Sequence, residues 1–259
     1  MQEIRLEYTD CNTKAPNTTK SDEFGKMDDN LVFTAFKNKT TGVNASWAHS
    51  KANVTYGPGV EVEEDVCTLQ FTIPEDIEPP VLFYYHLTNF YQNHRRYVAS
   101  FFDKQLKGDN VTAGQVNSSS CTPLIWDSEK QKPYYPCGLI ANSMFNDTFT
   151  SPMLMNSDSN DPVSYQMQNN TNIAWASDAN LYGKTKVPFD AVSPPPFWQA
   201  RYPKGYTAEQ PPPDLGEWQA FQVWMRTAGL PTFSKLYQRN DHEVMRAGTY
   251  QVTIHSSRS

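Results

Sequence analysis

The sequence predicts a mainly β protein: an antiparallel, sandwich-like sheet domain with short helices and long glycosylated loops. Three stretches alternate apolar and polar residues, around Ile4, Leu6 and Tyr8, around Cys67, Leu69, Phe71 and Ile73, and around Tyr250, Val252 and Ile254. That period of two is the mark of strands with one buried face. Nineteen prolines and 13% aromatic residues suit a folded chain whose connections are stiffened by proline, not a disordered one. No internal repeat of 20 to 50 residues occurs and the helical segments are short, so the strands set the architecture.

Taken in order, residues 1 to 10 predict a half-buried strand running into Cys11, and 12 to 30 a polar loop. LVFTAFK, from 31 to 37, predicts a short strand. Residues 38 to 59 return to loop and carry the turn signal GPG. The acidic run EVEEDV, 61 to 66, reads as a solvated strand edge or loop, and the strand through Cys67 stops at Pro74. PEDIEPP is a turn. VLFYYHLTNFY, 81 to 91, is apolar and too short to settle as strand or helix. Residues 104 to 120 predict a polar loop, 138 to 149 a strand and 150 to 172 a polar segment. PPP at 194 to 196 and 211 to 213 predicts stiff spacers. LPTFSKLYQRND, 230 to 241, predicts a helix, with Pro231 in the first turn and Phe233, Leu236 and Tyr237 on one face. Residues 250 to 254 predict a terminal strand.

A net charge of -6 argues against nucleic acid as a partner, since phosphate-backbone binders carry a clustered basic surplus. No run of eighteen apolar residues exists, so the chain does not itself span a bilayer, and MQEIRLEYTD has no apolar signal segment. Asn-x-Ser/Thr triplets occur at Asn17, Asn38, Asn44, Asn53, Asn110, Asn117, Asn146 and Asn169. Chance would give about three. Cys11, Cys67, Cys121 and Cys137 form an even set that allows three pairings. Metal sites favour close pairs such as C-x-x-C, and every spacing here is long. Cys121 with Cys137, leaving Cys11 with Cys67, is the favoured pairing, because the first closes a short loop carrying Pro123, Pro133 and Pro136. Such bonds persist on the lumenal or extracellular side. The chain is therefore expected to be one exoplasmic domain, 1–259, cut from a longer protein, with Met1 a supplied start and SSRS a cloning remnant.

Nothing in the sequence announces catalysis. It has no phosphate-binding loop, no G-x-S-x-G and no H-E-x-x-H. The five histidines have no i, i+4 spacing, and Asn156, Asp158 and Asn160 lack the glycine and the terminal glutamate of a calcium loop. Glu217 beside Trp218 is the only hint of a glycosidase; the separation of paired carboxylates is not written in a sequence, and nothing else supports that chemistry. The expectation is a non-enzyme with no metal or cofactor. HRRY, residues 94 to 97, is a local basic patch that could meet acidic partner loops or serve only as structural salt bridges.

Several blocks in order then carry a resemblance: EYTDC near the start, NFYQNHRRYV at 89 to 98, PCGLIANSMFNDTF at 136 to 149, IAWASD at 173 to 178, VWMRTAGLPTFSKLY at 223 to 237, and AGTYQVTI. The chain resembles, from about residue 3 to residue 254, the ectodomain of the non-catalytic β subunit of type-IV P-type ATPase lipid flippases, the ligand-effect modulator and cell-division-control family. Its four cysteines look like the fungal members. The family pattern continues past the last strand with a segment that is missing here after Ile254.

The resemblance implies two flanking membrane spans, of which the first acts as the signal. It also implies a heterodimer with a catalytic ATPase that moves aminophospholipids to the cytosolic leaflet. The implied role is to let that pump assemble, leave the endoplasmic reticulum for Golgi, endosome or plasma membrane, and complete its cycle. It implies the Cys121–Cys137 and Cys11–Cys67 bridges and a glycan at Asn146. His94, Arg95, Arg96 and Tyr97 are expected near the partner-facing surface. A secreted glycan-binding β module is the alternative.

Overall fold

The computed structural model describes residues 2–37, 43–156 and 161–256. In chain order its first half holds β1 (Glu3–Leu6), α1 (Cys11–Lys14), β2 (Gly25–Lys26), β3 (Val32–Ala35), β4 (Ala45–Gly57), β5 (Val60–Ile73), β6 (Val81–Leu87), α2 (Arg95–Val98), α3 (Asp103–Leu106) and α4 (Ala113–Asn117). The second half holds β7 (Trp126–Asp127), β8 (Lys132–Pro133), α5 (Leu139–Asn142), β9 (Thr148–Phe149), β10 (Met153–Leu154), β11 (Val163–Ser164), α6 (Gln219–Met225), β12 (Phe233–Asn240) and β13 (Gly248–Ser256).

The main sheet runs β11-β10-β13-β5-β4-β2, with β9 also pairing β13. Every pair in it is antiparallel. Register places Ala45, Phe71 and Tyr250 in one row and Trp47, Leu69 and Val252 in the next. All six are buried, whereas Ser46, Gln70 and Gln251 form the intervening row on the opposite face. The period-two alternation predicted for β5 and β13 is thus the sheet's division into core and solvent faces.

β6 and β12 form a separate antiparallel ribbon. It meets the main sheet's inner face through aromatic contacts. Phe83 lies 5.2 Å from Phe149, Tyr237 meets Phe149 edge-on at 4.9 Å, and Tyr85 stacks on Phe145 at 4.0 Å. Aromatic rings supply much of this core because each buries a large apolar area and packs in defined offset or edge geometries. Cys11 is bonded to Cys67 and Cys121 to Cys137.

The mainly β, antiparallel class is what the alternation predicts, and several local readings are corrected. Residues 230 to 241 are not a helix: β12 pairs with β6 over almost its whole length, with a register shift between Leu236 and Gln238. Its fully buried positions are Lys235, Gln238 and Asn240, while Phe233 and Tyr237 pack half-buried against the core, so the spacing of apolar residues reported only part of its core face. Residues 138 to 149 are not one strand but the single turn α5 followed by β9. Residues 45 to 57, read as loop, are the long strand β4, whose polar residues are held by the ladder to β5. Within 104 to 120, α3 and α4 replace a loop. Thr112 and Gln115 close a reciprocal capping box on α4, a T-x-x-Q signal present in the sequence. The acidic run belongs to β5, the strand between β13 and β4, and Glu64 is buried, not solvated. Residues 81 to 87 settle as a strand, and 150 to 172 contribute β10 and β11.

Candidate partner-docking face

Blocks far apart in sequence converge around α5. The turn into this helix needs Gly138, whose φ is +101°. A Cβ there would stand 2.1 Å from the Ser100 carbonyl oxygen, so only glycine permits the approach. The buried Ser100 hydroxyl donates to the carbonyls of Cys121 and Thr122 and accepts from the Leu139 N–H at 2.9 Å. Two indoles then take the next carbonyls: Trp224 Nε1 donates to Ile140 O at 2.8 Å and Trp198 Nε1 to Ala141 O at 3.1 Å. A four-residue helix this short would fray alone. Here the carbonyls of its buried residues Ile140 and Ala141 are taken up by tertiary partners.

Beside it, NFYQNHRRYV is stitched to the segment after α6. The Phe90 N–H donates to Pro231 O at 3.0 Å, and Asn93 Nδ2 donates to Gly229 O at 3.1 Å. Gln92, fully buried, accepts the Ala228 N–H at 2.8 Å through Oε1. This seam presents apolar side chains outward: Tyr91 is 60% exposed, Leu230 69% and Val98 39%. Arg95 and Arg96 are exposed on α2, with no ion pair to another described residue. The seam is a basic and apolar face.

The four residues of the basic patch divide. His94 caps α2, its Nδ1 accepting the Arg96 N–H at 3.3 Å. Tyr97 turns inward, sharing a hydrogen bond with the Ser143 hydroxyl at 2.9 Å and meeting Phe90 edge-on at 6.0 Å. Burial pushes its phenol above the ordinary value. Arg95 and Arg96 alone reach solvent as charge.

Residues missed in the sequence hold the rest of this region. The Arg226 guanidinium lies 3.5 Å above the Trp175 ring and binds Asp178 through Nε at 2.6 Å and Nη2 at 3.2 Å. This joins IAWASD to VWMR. Lys235 is buried and donates to the carbonyls of Val223, Trp224 and Arg226, closing the C-terminus of α6. Burial, with Arg226 nearby, lowers its ammonium to about 8. The signal available was the presence of these residues in the blocks that carry the resemblance. Their pairing across about fifty residues had none.

Of the acceptor asparagines, Asn17, Asn44, Asn53, Asn110, Asn117 and Asn169 are exposed and Asn146 is half-buried. Asn53 lies on β4 and Asn117 ends α4, not in loops. Asn38 lies outside the described residues, as do Asp158 and Asn160, while Asn156 Oδ1 accepts the Thr249 N–H at 2.7 Å. Glu217 is exposed.

A profile of the LEM3 (ligand-effect modulator 3) family / CDC50 family matches residues 1–257. The chain is 42% identical over 265 residues to the phospholipid-transporting ATPase accessory subunit CDC50 of Chaetomium thermophilum, covering 99% of this chain and 63% of that protein. It is 34% identical to the accessory subunit LEM3 of Saccharomyces cerevisiae, covering 98% of this chain and 59% of the relative. With mouse cell cycle control protein 50A it shares 39% identity over 73% of this chain and 54% of that protein. The chain therefore spans 54% to 63% of the length of these relatives.

Proposed function

This chain belongs to the LEM3/CDC50 family, and on that premise we propose that it is the exoplasmic domain of a non-catalytic lipid-flippase subunit. The observation that carries this reading is the family match over residues 1–257, together with relatives named as phospholipid-transporting ATPase accessory subunits. The partner is the catalytic subunit of a type-IV P-type ATPase, joined in a heterodimer. The longer protein is held in the membrane by spans on either side of one lumenal or extracellular domain. Its role is to let the pump assemble, leave the endoplasmic reticulum and complete its transport cycle.

The geometry that supports a docking role is the face of Tyr91, Arg95, Arg96 and Leu230. Exposed apolar side chains ringed by charge are the composition of a protein contact, and the two arginines favour an acidic patch on the pump's exoplasmic loops. His94, itself exposed, caps α2, and Tyr97 packs it from beneath. We expect Arg95→Glu with Arg96→Glu in the full-length protein to reduce co-purification of the catalytic subunit about tenfold or more, a loss of about 1.4 kcal/mol or greater. Normal maturation and ATP hydrolysis by every type-IV pump in cells lacking this chain and its paralogues would sink the assembly role. Unchanged co-purification by the double variant would sink only the docking face.

A further inference from the structure

Between α5 and β9 the chain passes through Met144, Phe145 and Asn146, and across from it stand Phe197, Arg201, Tyr202 and Trp218. Together they line a cleft of about 40 Å³. It opens to solvent beside Phe197, which is 53% exposed. The asparagine is held firmly at its rim. Arg201 Nη2 donates to the Asn146 carbonyl oxygen at 2.7 Å, and the neighbouring Phe145 ring is stacked on Tyr85 with the planes 4° apart. Arg201 is itself braced over the Tyr56 ring at 4.7 Å. The cleft wall is equally fixed: Trp218 stacks on Phe221 at 5.4 Å, and Trp198 meets Trp218 edge-on at 5.5 Å.

Asn146 also opens the acceptor triplet Asn146-Asp147-Thr148, so a glycan attached there would begin at the edge of an aromatic cleft. We propose that the Asn146 glycan folds back onto the protein. Its first N-acetylglucosamine sits against Phe197 and Trp218, with the methyl of its acetamido group in the cleft. The size fits. Against a share of about 30 Å³ for one water, 40 Å³ holds about one or two non-hydrogen atoms, room for the methyl end of an acetamido group and too little for a sugar ring. The rings offer flat apolar surface to the sugar's C–H face, as aromatic walls do in small-molecule sites. Covalent attachment makes the contact intramolecular, so a weak interaction suffices to keep it formed. The bound sugar also covers apolar surface that would otherwise face water.

This inference rests on the exoplasmic reading above. The test uses the full-length protein isolated from cells that glycosylate. Peptide-N-glycosidase release from the native and the denatured protein is followed site by site by mass spectrometry. We expect native release at Asn146 to be slower than denatured release by about tenfold, the equivalent of one contact of about 1.4 kcal/mol. Phe197→Ser and, separately, Trp218→Leu should remove most of that protection. Phe197 is exposed enough that its variant keeps the wild-type melting temperature, so a fast-release result is not read from a misfolded protein. Equal native and denatured rates overturn the proposal, as does protection unchanged in both variants or seen only with the pump bound. A bare Asn146 beside occupied sites elsewhere overturns this inference alone. No glycan at any of the eight triplets overturns the exoplasmic reading with it.

Discussion

Arg226 and Asp178 form a pair in which the two partners have very different access to water, and the two single deletions should therefore differ. The Asp178 side chain is 7% exposed and that of Arg226 44%. Replacing Arg226 with leucine strands a buried carboxylate. The remaining side-chain donor is the Ser177 hydroxyl, at 3.2 Å. Breaking a buried pair from that side costs about 3–5 kcal/mol. Relief of the repulsion that Arg226 exerts on Lys235 offsets a small part. Replacing Asp178 with leucine instead leaves a guanidinium that can turn toward solvent while keeping its stack on Trp175, so the cost is nearer 1–2 kcal/mol. The difference, about 2 kcal/mol, corresponds to roughly 4–8 °C in melting temperature for a domain of this size. Urea unfolding followed by tryptophan fluorescence, with equal m values, measures it directly. The double variant should fall close to Asp178→Leu alone, because the stranded charge is gone. An Asp178→Leu cost equal to or above that of Arg226→Leu would refute the argument from unequal burial.

Removing Cys121 and Cys137 together by alanine should cost about 3 kcal/mol, and removing Cys11 and Cys67 about 4 kcal/mol. The order follows from sequence separations of 16 and 56, and thermal unfolding of the two variants would show it reversed if loop closure were not the governing effect. Gly138→Ala should destabilise by about 3 kcal/mol or more, since both the positive φ and the Ser100 carbonyl oppose a side chain. Equal melting temperatures would contradict this. Lys235 has a folded value of about 8 against 10.5 when free, so the unfolded chain holds the proton over that window and the folded one does not. Wild-type stability should therefore rise relative to Lys235→Met as pH climbs from about 8 toward 10.5, and flatten below 8. A difference between the two proteins that stays constant across the window would exclude proton release at this lysine.

Strands with one apolar face were legible. β5 and β13 show in the sequence because along most of their length they bury every second residue, and β1 because Ile4 and Leu6 pack half-buried against the core while Arg5 is exposed. β12 was not, since its fully buried positions are Lys235, Gln238 and Asn240. Each of these is satisfied by distant backbone carbonyls: those of α6, Thr150 and Gln166 respectively. α5 was hidden for a related reason: its turn is fixed by a contact with Ser100 and by carbonyl bonds to Trp198 and Trp224. At the proposed docking face the sequence pointed to four adjacent residues. The fold separated them into two exposed arginines, a cap and a packing tyrosine, and supplied Tyr91 and Leu230 to the same surface.

The sequence by itself determined the β class, the alternating core strands and the ordered blocks that mark the family, because periodicity and motif order are local properties written along the chain. Only the tertiary structure decided that Arg226 meets Asp178, that Lys235 closes α6, and that Asn146 stands at the rim of an aromatic cleft. Those arrangements depend on which buried polar group finds which partner. That choice is made by contacts between segments tens of residues apart, for which the chain carries no local pattern.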